Sequence, residues 1–244
     1  TTGSSNTAVG SSALDACTTG ALNTAIGKGA ASALTTGERN IAVGFEALKD
    51  LTTGSYNIGI GENAADALTT STGVIAIGAD AYTSATGNYN TAIGISALAN
   101  ATGDHNVAIG RAAVAVNTTG TENIAIGNYA LDANTTASYN TSMGYNAGGK
   151  ITTGAQNVFV GRSANKEGTT CNDCVCIGDR AGDGNTGNQN TFVGGRAGAA
   201  GGNGGGTMNV GIGFYSLYAV GTAAADYNTA VGAYSMESNT SGAH

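Results

Sequence analysis

The chain has 244 residues, a net charge of −7 and 41 glycines, but neither proline nor tryptophan. Charged residues make up 10% of the sequence, against about 25% in typical globular domains, and only four Phe and three Met are present to fill a core. This composition excludes an ordinary globular core, whereas 41% hydrophobic residues exclude a disordered chain.

A short phrase recurs along the whole chain: Asn-Thr-Ala-Ile/Val-Gly, followed by two variable residues and usually an alanine. Its closing glycines are separated by 16 to 19 residues, and in chain order they are Gly10, Gly27, Gly44, Gly61, Gly78, Gly94, Gly110, Gly127, Gly144, Gly161, Gly178, Gly194, Gly213 and Gly232. A short period kept along the whole chain is typical of solenoids, in which each repeat contacts only its neighbours.

Each phrase has the alternation of a β-strand. The residue before the glycine is Val, Ile or Met, and the residue two positions earlier is Thr, Ile or Val. These two residues share one strand face, which we expect to be buried inside the coil. The residue between them is nearly always small, with Phe159 and Phe192 as exceptions, and we expect it to face any partner chain.

The predicted fold is therefore all-β: a parallel β-solenoid or β-roll of about 14 coils with a repeat of about 17 residues. Each repeat is predicted to contain two short strands joined by turns. The phrase glycine suits a tight bend at positive φ. A helical repeat is disfavoured because no segment shows a period of 3.6 residues and the glycine density would break a helix.

An asparagine opens most of the phrases. Asparagine tolerates turn geometry, and identical stacked amides can hydrogen-bond to one another. We therefore predict a structural Asn ladder formed by Asn6, Asn23, Asn40, Asn57, Asn90, Asn106, Asn123, Asn140, Asn157, Asn190, Asn209 and Asn228.

Residues 1–244 are interpreted as a single repeat domain, with regular coils in 1–161 and longer loops in 162–244. Because the chain starts inside a repeat, we expect it to be a fragment of a longer protein. The long turns are predicted at Asn165–Asp173, Ala199–Thr207 and Val220–Tyr227, close to the aromatic residues Phe214, Tyr215, Tyr218 and Tyr227. Insertions in repeats map to loops, so we hypothesise that this end carries lateral contacts or ligand binding.

Sites for chemistry are sparse. The cluster Cys171-x-x-Cys174-x-Cys176 favours a local disulfide or simple packing over zinc, since both histidines lie far away in the sequence. The carboxylates are scattered without a convergent pair, so no catalytic, cofactor or metal site is predicted and an enzyme is not expected. Glycosylation sequons at Asn100, Asn117, Asn134, Asn140 and Asn239 are interpreted as turn chemistry.

The phrase Asn-Thr-Ala-Ile-Gly-x-x-Ala closely resembles the head repeats of trimeric autotransporter adhesins and the repeat arrays of bacteriophage tail fibres. The resemblance implies a left-handed parallel β-roll assembled as a homotrimer, although the period here is longer than that of the adhesin heads. It implies a location outside the cell or on a virion surface, with a surface glycan or receptor as the ligand.

The function expected from the sequence is that of a structural fibre or stalk that mediates attachment. Nucleic acid is not an expected partner because no basic cluster occurs, and no apolar run reaches the roughly 20 residues that span a bilayer. Two alternatives remain open: a self-assembling extracellular filament subunit, because the solenoid ends carry no evident cap, and an ice-binding β-solenoid, because threonine arrays can order water.

Overall fold

A computed structural model describes residues 2–199, 205–218 and 226–238, and these ranges contain short strands and turns but no α-helix. The strands are β1 (Thr7–Val9), β2 (Thr24–Ile26), β3 (Ile41–Val43), β4 (Ile58–Ile60), β5 (Ile75–Ile77), β6 (Thr91–Ile93), β7 (Val107–Ile109), β8 (Ile124–Ile126), β9 (Thr141–Met143), β10 (Val158–Val160), β11 (Val175–Ile177), β12 (Thr191–Val193), β13 (Val210–Ile212) and β14 (Thr229–Val231). Two compact units, Thr1–Thr121 with β1–β7 and Glu122–His244 with β8–β14, make up the chain.

Within each unit, every strand pairs in parallel with the next strand along the chain. Equivalent positions of successive repeats lie opposite each other, as in Thr24 with Ile41 of the first unit and Thr141 with Val158 of the second. The predicted all-β parallel solenoid with a repeat of about 17 residues is therefore confirmed. The prediction of two strands per repeat is wrong, because within the described residues each repeat has one three-residue strand and the rest consists of turns and irregular segments.

The phrase glycine ends each strand at a positive φ, as predicted. At Gly44 the value is 137°, a region that L side chains rarely adopt, and an added Cβ would lie 2.3 Å from the carbonyl oxygen of Gly61 in the next coil. Glycine is thus required here by both the backbone conformation and the close approach of the neighbouring coil.

The turn after the glycine places non-glycine residues in the left-handed region. Glu46 and Leu48 have φ values of 54° and 50°. Their backbone N–H groups donate to opposite neighbours, Glu46 to the oxygen of Lys28 at 3.0 Å and Leu48 to the oxygen of Ala64 at 3.0 Å. Bonds to both adjacent coils offset the steric cost of these conformations.

The core of each coil is narrow. In the third repeat it consists of Asn40, Ala42, Ala47, Leu48 and Leu51, each with at most 1% of its surface exposed. The strand contributes the side chain of Ala42 to the core, and the turn contributes that of Leu48. Because each coil buries so little apolar surface, its stability depends on stacking against the coils next to it.

The two large residues at the small strand position are compensated locally. Phe159 replaces the inward alanine, and Gly148 stands where Leu131 occurs one repeat earlier. A Cβ on Gly148 would lie 2.8 Å from Cδ2 of Phe159 and 2.9 Å from Cδ2 of Leu131. Phe192 is accommodated in the same way, since a Cβ on Gly198 would lie 2.4 Å from its ring. The glycine thus leaves the volume that a side chain at its position would fill, and the phenylalanine ring occupies that volume.

Candidate functional surface

The first and third residues of every strand point away from the coil and form what we call the outward strand face. In the first unit it comprises Thr7, Val9, Thr24, Ile26, Ile41, Val43, Ile58, Ile60, Ile75, Ile77, Thr91, Ile93, Val107 and Ile109. In the second unit it comprises Ile124, Ile126, Thr141, Met143, Val158, Val160, Val175, Ile177, Thr191, Val193, Val210, Ile212, Thr229 and Val231. In-register pairing aligns these side chains in two parallel columns in each unit.

The expectation that this face is buried is wrong. Ile41 is 38% exposed and Ile124 is 40% exposed, whereas the small residues between the columns, such as Ala42 and Ala125, are completely buried. The coil interior has room only for alanine or glycine at most strand positions, so the β-branched side chains must point outward. Contiguous apolar surface of this kind marks interaction sites in soluble proteins.

The predicted Asn residues point into the coils. Asn6 is half-buried, and the structure buries Asn23, Asn40, Asn57, Asn90, Asn106, Asn123, Asn140, Asn157, Asn190, Asn209 and Asn228. In the first unit, Nδ2 of Asn40 donates to Oδ1 of Asn23 at 3.1 Å. In the second, Nδ2 of Asn157 donates to Oδ1 of Asn140 at 2.9 Å and to the oxygen of Cys171 at 2.8 Å. These amides link one coil to the next.

Two repeats lack the asparagine but still donate a hydrogen bond to the asparagine of the preceding coil. The backbone N–H of Val74 donates to Oδ1 of Asn57 at 3.0 Å, and that of Cys174 donates to Oδ1 of Asn157 at 2.9 Å. The asparagine Oδ1 of the preceding coil can therefore accept a hydrogen bond from any residue that has a backbone N–H. Neither Val nor Cys supplies an amide oxygen to the following coil, so the side-chain ladder stops there.

The three clustered cysteines are buried, and the structure has them as free thiols. Nδ2 of Asn165 donates to Sγ of Cys171 at 2.9 Å, and Sγ of Cys174 lies 3.2 Å from the oxygen of Gly187. A hydrogen bond with Cys174 and burial raise the pKa of the Cys171 thiol, and burial raises the pKa of Cys176. The hydrogen bond with Cys171 instead lowers the pKa of Cys174. All three side chains pack in the core without a bond between their sulfur atoms.

Other candidate sites are placed as follows. Asn117, Asn134 and Asn140 are buried, so their sequons are not accessible in the folded chain, while Asn100 is exposed and Asn239 lies outside the described residues. Within the described ranges, no group of three or more His, Cys, Asp or Glu side chains could hold a metal ion. His105 is exposed and stacks on Tyr89, with ring centroids 5.3 Å apart.

The second unit carries a cluster of aromatic side chains that the sequence indicated only in part. Tyr215 contacts Phe214 and Tyr218, both with ring centroids 4.5 Å away, and Tyr234 at 5.7 Å. Tyr234 and Arg196 belong to this cluster but were missed, because only equivalent positions in successive repeats bring them to Tyr215. The long turns expected at Ala199–Thr207 and Val220–Tyr227 lie largely outside the described residues.

No described segment forms a helix with the length and apolarity that crossing a bilayer requires. Comparison of the chain with protein-family models, with curated proteins and with solved structures finds no match.

Proposed function

We propose that this chain is part of a structural fibre or stalk, located outside the cell or on a virion surface, that mediates attachment. The observation that carries the proposal is the outward strand face. Repetitive coils place aliphatic side chains such as Ile60 and Ile77 at the surface of the chain in regular columns. A repeat protein of this kind provides length and a repeated surface.

A homotrimer is the assembly we propose for the fibre. Three chains that meet through their outward strand faces would remove the β-branched side chains from water, which is favourable by roughly 25 cal/mol per Å² of apolar surface. The small buried core of a single coil supports this proposal, because further burial between chains would add to its stability. A closed symmetric arrangement also limits further association.

The test is the mass of the chain in solution, measured by light scattering after size exclusion. We expect a discrete species of about three times 23.7 kDa. The double variant Ile60→Lys/Ile77→Lys should dissociate it while the β-type circular dichroism persists, and Thr53→Lys on an exposed turn should leave the mass unchanged. A monomeric wild type would overturn the trimer, and an unbounded mass would identify a filament subunit instead.

Ice binding is a second candidate because of a specific feature of the same face. Thr7, Thr24 and Thr91 stand on the outward strand face together with isoleucine and valine, in register from coil to coil. A regular lattice of hydroxyl and methyl groups can order water. Thermal hysteresis in a freezing-point assay of the purified chain would favour this function, and its absence would remove it.

A further inference from the structure

A surface of the second unit combines arginines with aromatic rings, of which Arg180, Phe214 and Tyr234 are exposed and Arg196 and Tyr215 are half-buried. Arg196, Tyr215 and Tyr234 occupy the second position after the phrase glycine in three successive repeats. Cζ of Arg196 lies 5.5 Å from the centroid of the Tyr215 ring, and the rings of Tyr215 and Tyr234 stack with an interplanar angle of 15°. Together with Arg180 and Phe214, these residues make up the arginine–aromatic surface.

Phe214 and Tyr234 are the two exposed rings of this surface, and Phe214 lies between small neighbours. Its plane is at 74° to that of Tyr215 and at 88° to that of Tyr234. The equivalent positions of the neighbouring repeats are Gly195 and Ala233, and a Cβ on Gly195 would lie 3.2 Å from Cδ2 of Phe214. With such small neighbours, 49% of Phe214 stays exposed although the ring is held by aromatic contacts.

Neither arginine of this surface lies within salt-bridge distance of a described carboxylate, although Asp183 is close enough to Arg180 for their charges to interact. Nη1 of Arg196 donates to the hydroxyl of Tyr215 at 2.8 Å. Among residues 2–199, 205–218 and 226–238, neither Arg196 nor Arg180 forms an ion pair, whereas Arg39 pairs with Glu38 and Arg162 pairs with Asp179. In a chain of net charge −7, two guanidinium groups at equivalent positions of successive repeats, neither in a salt bridge, leave positive charge at this surface. Such groups attract anions, and their planar forks match a carboxylate.

We propose that the arginine–aromatic surface binds acidic saccharides, meaning pyranose rings that bear a carboxylate. The apolar C–H face of the sugar would lie on Phe214, and its carboxylate would pair with Arg196, with Arg180 adding charge one repeat away. Aromatic rings combined with a few placed polar groups are typical of ligand sites. Because stacking already orders Arg196 and the rings, little side-chain entropy is lost on binding. This inference rests on the proposed attachment function and names its ligand class.

The experiment compares carboxylated and neutral sugars on the full chain. Immobilised sialyllactose and hyaluronan hexasaccharide are the probes, with lactose and chitohexaose as uncharged counterparts. We expect preferential binding of the carboxylated sugars, at least a tenfold loss of affinity in Arg196→Gln and in Phe214→Ala, and a smaller loss in Arg196→Lys.

Matched controls come from the first unit. Arg39 also lies over a tyrosine ring, that of Tyr56 at 5.4 Å, and Phe45 has the same repeat position as Phe214 and is 42% exposed. Arg39→Gln and Phe45→Ala should leave sugar binding unchanged. Circular dichroism of every variant shows whether it has folded. If Arg196→Gln does not fold, Arg196→Lys provides the test of the arginine instead.

Equal binding of neutral sugars, no binding of carboxylated sugars, or equal losses in the control variants would overturn the inference. A separate assay of adhesion to intact cell surfaces distinguishes this failure from failure of the proposed function. Adhesion without binding of carboxylated sugars overturns the inference alone. Binding of these sugars without adhesion upholds the inference and overturns the attachment function.

Discussion

The side-chain oxygen of Asn40 accepts two hydrogen bonds from Asn57 in the next coil, one from its backbone N–H at 2.9 Å and one from its Nδ2 at 3.1 Å. Nδ2 of Asn40 in turn donates to the oxygen of Gly54 at 2.9 Å. With the bond from Nδ2 of Asn40 to Oδ1 of Asn23, one buried amide therefore satisfies four buried polar groups. All of these hydrogen bonds join successive coils.

Asn40→Ala should be strongly destabilising. It leaves the N–H of Asn57 and the oxygen of Gly54 buried without these partners, at a cost of about 2–4 kcal/mol in the free energy of unfolding. Urea denaturation followed by circular dichroism measures the loss. Asn100→Ala is the control, because that side chain is exposed and should cost less than about 1 kcal/mol. Equal losses in both variants would contradict a special role of the ladder.

Gly44→Ala tests the strand end. The φ of 137° and the 2.3 Å approach of an added Cβ to the oxygen of Gly61 both oppose any side chain. We expect a loss of about 3 kcal/mol or more, seen as a lower thermal midpoint. Gly205→Ala, where the nearest atom to an added Cβ lies 4.0 Å away, should shift the midpoint little. A tolerated Gly44→Ala would show that the coils can separate at this bend.

Phe159→Ala should leave a cavity in the core and cost about 3–5 kcal/mol. Gly148→Leu alone should also destabilise, because even a Cβ would contact the Phe159 ring at 2.8 Å. The double variant Gly148→Leu/Phe159→Ala introduces the residue types of the repeat that contains Ala125 and Leu131, and it should recover most of the stability. A double-mutant cycle on unfolding free energies measures the coupling, and additive losses would refute the proposed volume exchange.

Asp66→Asn should raise stability at neutral pH. Burial raises the pKa of Asp66, and its Oδ1 is buried without a hydrogen-bond partner. A folded-state pKa above the unfolded value means that the acid form contributes stability below the unfolded pKa, about 3.9, and that this contribution is lost as pH rises through the folded pKa. We expect a gain on the order of 0.5 kcal/mol at pH 7 and little change at about pH 3. Asp15→Asn on the surface is the control, and an equal gain at both pH values would exclude ionisation as the cause.

The thiols should differ in reactivity. Cys17 is partly exposed, whereas Cys171, Cys174 and Cys176 are buried. Alkylation by iodoacetamide needs an accessible thiolate, so the native chain should be modified first at Cys17, and the other three should react only on unfolding. Peptide mass spectrometry after native and denatured labelling distinguishes the sites. Early labelling of Cys171 would show that its repeat opens locally.

The period and the strand residues were readable from the sequence because a solenoid repeats its local chemistry in every coil. Glycine before each turn and β-branched residues around a small one predict strands that end at a positive φ, as at Gly44. The aromatic cluster was only partly predicted. Arg196 and Tyr234 are separated from Tyr215 by 19 residues each and meet it only through stacking of the coils.

The sequence by itself determined a parallel β-solenoid, its repeat length and the residues at each turn. Only the tertiary structure decided which strand face is inside. The alternation of side chains along a strand places Ile41 and Val43 on the face opposite Ala42, but it does not determine which face points inward. The greater hydrophobicity of Ile41 and Val43 led to the wrong prediction that their face is buried. The interior is too narrow for β-branched residues in most strands once leucines such as Leu48 enter from the turn, so alanine is buried and the isoleucines remain outside.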